Sequence, residues 1–268
     1  MAMETISGSD VNLRNFISTG NYVEDVFGAT LKLQTGEILN VAALRVFRSK
    51  DIHEVKSIKK LQHKHVIKYY GVVSYEWDSY ILAELAENGT LRYYLDEWKK
   101  NENTSLSPEF MQRWAYETAC GIRYLHECGY QHNTLGSINC FITKDLTLKL
   151  GDLSSTETCT FTRRAGDLLG KIRWMAPEVI QHGIRSMKSH VYSYGVIVWE
   201  IITTDVPFSK IKGCYHTMLA IIRGERPPIC SDCPPALNEL VQHCWQEDPD
   251  KRPAIEAICE SFEKKLSL

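Results

Sequence analysis

Residues 191–202 read Val-Tyr-Ser-Tyr-Gly-Val-Ile-Val-Trp-Glu-Ile-Ile, apolar on nearly every side of a helical wheel. A helix without a polar face has to be buried. The run is well short of the ~18 apolar residues of a membrane span, and Glu200 interrupts it. It therefore belongs inside a helical body large enough to enclose it. The chain after residue 86 can supply that body. Asn88-Gly89 signals a turn, and Ser107-Pro108-Glu109 then reads as an N-cap, a first-turn proline and a first-turn acid. Phe110, Trp114, Thr118, Ile122 and Leu125 follow as one helical stripe, and residues 140–150 alternate like a hairpin around Lys144-Asp145.

Before residue 86 the character differs. Residues 41–47, 66–73 and 80–86 are β-branched and aromatic runs, which predict strands. Between the first two, Ile52, Val55, Ile58 and Leu61 recur at helical spacing. The expectation is an α+β fold in two lobes. A small antiparallel sheet lobe with one helix would span residues 11–86, and a larger, mainly α-helical lobe residues 87–268. Residues 1–10 would flank the domain, which reads as a piece of a longer protein with no signal peptide.

Charge and cysteine content narrow the function classes. With 31 basic and 33 acidic side chains the formal net charge is -2, against a basic nucleic-acid footprint or an acidic tail. Nine cysteines, none before Cys120, do not make a disulfide scaffold, so reduced thiols are expected. Cys230-Ser231-Asp232-Cys233 has the spacing of half a zinc site but lacks a second pair, and a proline-rich loop holding two thiols is the plainer reading.

Several strings then line up in order. They are Ala42-Ala43-Leu44-Arg45; Glu54 to His63, with Val55, Ile58 and Leu61; His132-Asn133-Thr134-Leu135-Gly136-Ser137-Ile138-Asn139; Lys149-Leu150-Gly151-Asp152-Leu153-Ser154; Trp174-Met175-Ala176-Pro177-Glu178; Val191 to Glu200; and Asp250-Lys251-Arg252-Pro253. Together they resemble a bilobal protein kinase domain over about residues 11–265. The wording is similar to the tyrosine-kinase and tyrosine-kinase-like groups, most of all mixed-lineage kinases, with the pseudokinase half of Janus kinases second.

The resemblance implies roles for individual residues. Arg45 would replace the strand lysine and pair with Glu54. Gly20 is what is left of a phosphate-cradling glycine loop, with Glu24 and Asp25 nearby. Ala83, Glu84 and Ala86 would face an adenine ring, and Asn139 and Asp152 would ligate magnesium if nucleotide binds. Thr134 stands where the family has its proton-accepting aspartate, and a hydroxyl is no base near neutral pH. His190 departs from the family's loop-anchoring aspartate. Glu178 and Arg252 match its buried ion pair.

Plainer readings stay open. Arg45 and Glu54 could form a locking salt bridge with no nucleotide, and Asn139 and Asp152 could satisfy loop backbone groups. The expected function is thus a pseudokinase: a scaffold or allosteric regulator in intracellular signalling, cytoplasmic, with weak or no ATP binding. No cofactor would be required, ATP with Mg being optional. Its partners would be other signalling proteins, an active kinase among them, with no nucleic acid and no membrane insertion. The alternatives are a low-activity kinase transferring phosphate from ATP to protein Ser, Thr or Tyr, and a nucleotide-gated switch.

Overall fold

The computed structural model describes residues 6–19, 25–46, 55, 57–75, 77–101, 106–153 and 171–266. Five antiparallel strands form one sheet: β1 (Val11–Thr19), β2 (Asp25–Lys32), β3 (Ile38–Val46), β4 (Tyr69–Tyr75) and β5 (Asp78–Glu84). Their spatial order is β1-β2-β3-β5-β4. Side chains alternate between faces along a strand. Val41, Ala43, Val73, Tyr80 and Leu82 pack on the outer face with Val11, Ala29 and Leu31. Val46, Val72, Ile81 and Ala83 face the other way, onto Val55, Ile58 and Leu61 and into the core of the helical lobe.

The three expected strands are present, but β4 begins at Tyr69. Val66 instead bridges Leu150, and Ile67 N–H donates to Leu150 O at 2.8 Å, which ties the lobes together. β1 carries no clear strand signal because two register shifts break its period. Ile6, ahead of β1, bridges to the sheet beside Val73, its N–H donating to Val72 O at 3.2 Å.

The helical lobe comprises α1 (Leu91–Asn101), α2 (Pro108–Glu127), the hairpin β6 (Cys140–Ile142) and β7 (Leu148–Leu150), α3 (Pro177–His182), α4 (Met187–Thr203), α5 (Cys214–Ile222), α6 (Pro235–Cys244) and α7 (Ile255–Leu266). Ser107 caps α2 by accepting from Phe110 N–H, and Trp114, Thr118, Ile122 and Leu125 are buried. Residues 189–202 of α4 are all buried, as a helix without a polar face requires. Within it Glu200 accepts from Arg92 at 3.0 Å, Ser137 at 2.8 Å and the Trp174 indole at 2.6 Å. This binds α1, the loop before β6 and the segment before α3 to the central helix. Glu178 and Arg252 form a two-pronged ion pair at 2.7 and 2.8 Å. Among the described residues, no helix is long and apolar enough to cross a membrane.

One expectation fails outright. Cys230 and Cys233 are joined in a disulfide rather than reduced. The turn at Ser231-Asp232 brings their Cα atoms to 5.4 Å, within bridging range. So short a loop gains only about 2 kcal/mol from the crosslink. Replacing Cys230 with serine should cost no more than that, read as a denaturant midpoint; a larger loss would show that the bond carries more than loop closure.

Candidate functional site

The candidate site forms where residues 132–139, the end of β7 and Asp152 converge. Its inner part is held by backbone bonds, with Asn139 N–H donating to Gly136 O and Gly151 N–H to Asn139 O, both at 2.9 Å. The Asn139 amide donates to Thr134 O at 2.7 Å and to its hydroxyl at 3.0 Å. The Thr134 hydroxyl in turn donates to Asp152 Oδ2 at 3.4 Å. Asp152 has φ +56°, a left-handed conformation that aspartate tolerates better than most residues. The structure thus brings Thr134, Asn139 and Asp152 together. It adds Lys171, which the sequence reading missed: its ammonium lies 3.9 Å from Asp152 Oδ2 and its side chain is 11% exposed. No spacing signal marks this lysine, since it arrives from beyond the undescribed residues 154–170.

Gly136 also has a positional meaning. A Cβ there would lie 2.8 Å from the Trp174 ring, so the loop closes against that indole only because the residue is glycine.

The strand position needs correction. Arg45 pairs in register with Tyr80, on the outer face of the sheet. Its guanidinium meets Asp78 at 2.8 Å and Asp25 at 3.8 Å. Leu44, opposite Val26 and Ile81, is the residue that faces the main core. The cleft-side position at this height therefore carries a hydrocarbon and no cation. Glu54, the expected partner of Arg45, and Gly20 lie outside the described residues.

The connector residues are largely committed to the fold. Ala83 is buried opposite Ala42. The Glu84 carboxylate pairs with Lys149 at 2.6 Å and accepts from Lys68 N–H at 3.2 Å. Ala86 O accepts from Gly89 N–H at 3.1 Å.

These residues fit a magnesium nucleotide poorly. Leu44 offers a phosphate no charge, and Asp152 Oδ2 already faces a hydroxyl and an ammonium, which opposes a divalent ion there.

Three imidazoles lie behind the loop. His126 Nε2 and His190 Nδ1 are 2.8 Å apart. His190 is held neutral down to about 3, first by burial and then by His126, His132 and Arg185. His132 is likewise pushed down to about 3, first by burial and then by Lys171.

A five-stranded sheet lobe joined to a helical lobe, with the candidate site beside the β6–β7 hairpin, is the layout of a bilobal kinase fold. The chain belongs to the protein tyrosine and serine/threonine kinase family, whose family model matches residues 28–262. It is 33% identical over 211 residues to Serine/threonine/tyrosine-protein kinase HT1 of Arabidopsis thaliana, covering 79% of this chain and 53% of that protein. It is 30% identical to Mitogen-activated protein kinase kinase kinase 7 of Drosophila melanogaster, with 93% and 36% covered. It is 31% identical to Insulin receptor-related protein of Cavia porcellus, with 89% and 20% covered. The chain spans about half or less of the length of these relatives.

Proposed function

We propose that this kinase-family domain is a pseudokinase, which acts in signalling by holding or biasing other proteins, an active kinase among them, and not by transferring phosphate. The observation that carries the reading is Thr134, whose hydroxyl lies between Asn139 and Asp152 where the resemblance implies a proton acceptor. Losing a general base costs roughly 10²–10⁴ in rate. Leu44 at the cleft-side strand position and Lys171 beside Asp152 support the same reading, because both weaken the case for a bound magnesium nucleotide. A cytoplasmic setting is part of the proposal.

A low-activity protein kinase is the competing reading. It is favoured by the relatives, which are named as kinases, and by the convergence of Asp152 and Asn139.

Incubation with γ-labelled ATP, magnesium and generic protein substrates separates the two. The expected result is no label above background, on itself or on substrate. Label that disappears in an Asp152→Asn variant would establish the low-activity kinase instead.

A further inference from the structure

Behind the catalytic loop a small pocket opens against the N-terminal end of α4. Its walls include His132, Asn133, Lys171, Arg185, Ser189 and His190. Two cations line it, and among the described residues none of the lining side chains is acidic. Arg185 is half-buried and makes no hydrogen bond or ion pair among the described residues. Leaving a guanidinium partly buried without a counter-charge costs free energy that an anion would recover.

Three further features point the same way. The resemblance implies an aspartate where His190 stands, so the acid expected at that position is absent, and Asp152, 3.9 Å from Lys171, is the nearby carboxylate. His132 is buried beside the Gly151 backbone, and its Nε2 makes no close hydrogen bond among the described residues. The positive end of the α4 dipole adds to the local potential. The low proton affinities of His132 and His190 come first from burial, with Lys171 a lesser cause for His132 and Arg185 the smallest for His190.

We propose that this pocket binds a small oxyanion of the phosphate class, held by Arg185 and Lys171 over the N-terminal end of α4. A guanidinium suits the task because its planar fork can meet two oxygens of one anion. The pocket adjoins the candidate functional site and shares Thr134 and Lys171 with it, but anion binding by Arg185 does not depend on whether the domain transfers phosphate.

Free phosphate and a phosphorylated side chain share this chemistry. Inorganic phosphate and O-phospho-L-serine are therefore titrated separately against the protein, with melting temperature and calorimetry as readouts and sodium chloride at matched ionic strength as the reference. Saturable binding of either supports the site, and the tighter ligand names the source. Arg185→Met removes a side chain without bonded partners; it should leave the unliganded melting temperature unchanged and weaken binding at least about tenfold. His190→Asp, which returns an acid to the pocket, should abolish binding. The proposal is overturned if neither ligand saturates, if chloride reproduces the shift, or if Arg185→Met binds as tightly as the parent protein.

Discussion

Replacing Arg252 with methionine is expected to cost ~3–5 kcal/mol, because it leaves a largely enclosed carboxylate without its partner. For a domain of this size that corresponds to a fall in melting temperature of roughly 10 °C. The Arg252 side chain is fully buried, and besides Glu178 it serves the carbonyls of Gln246, Lys188 and Glu247 at 2.8, 3.0 and 3.1 Å. Methionine fills similar volume and satisfies none of these acceptors. The guanidinium also lies 5.2 Å from the Tyr192 ring centroid, so the loss reaches the core of α4. Asp152→Asn makes the contrast, since it removes a charge from the candidate site without opening the core. Its effect should stay within about 1 kcal/mol. Equal melting temperatures for the two variants would remove the Glu178–Arg252 pair from its structural role.

The second large effect is a loss of stability in mild acid. His132 and His190 each titrate near 3 in the folded state, against about 6.5 in an unfolded chain. Their folded proton affinities are depressed, so the unfolded chain binds more protons throughout this window. Stability is therefore full above about pH 6.5 and falls as the pH drops toward 3. At pH 5 the two imidazoles together should cost about 4 kcal/mol relative to neutral pH. His63, His65 and His126 are shifted in the same direction, each mainly by burial, and add to the loss. Urea midpoints between pH 7.5 and 5 read this directly. His132→Asn should flatten the slope whatever it does to the absolute midpoint. A slope unchanged in that variant would mean that His132 takes up its proton without unfolding the domain.

What the sequence discloses depends on whether the signal is local. α2 announces itself by Ser107-Pro108-Glu109 and its apolar stripe, and α4 by having no polar side. The meeting of Thr134, Asn139 and Asp152 was also legible, through ordered motifs and not through spacing alone. Arg45 was misplaced for a physical reason. Strand side chains alternate with period two, so moving a motif by one residue sends its side chain to the opposite face. Only the pairing with Tyr80 decides which face Arg45 takes, and that pairing spans 35 positions of chain. Contacts of this kind leave no trace in a short window. Lys171 beside Asp152, Arg185 near His190, and Arg92, Ser137 and Trp174 around Glu200 all belong to this class. The disulfide was missed differently: its two cysteines were noticed, but composition argued for the wrong oxidation state.

The contact between Gly136 and Trp174 limits which substitutions the loop can accept. Any side chain added at 136 would have to displace an indole whose nitrogen is anchored 2.6 Å from the buried Glu200. A carboxylate introduced at 134 would join Asp152 and its neighbouring ammonium at one end of a loop that this indole holds closed, with a leucine at the cleft-side strand position.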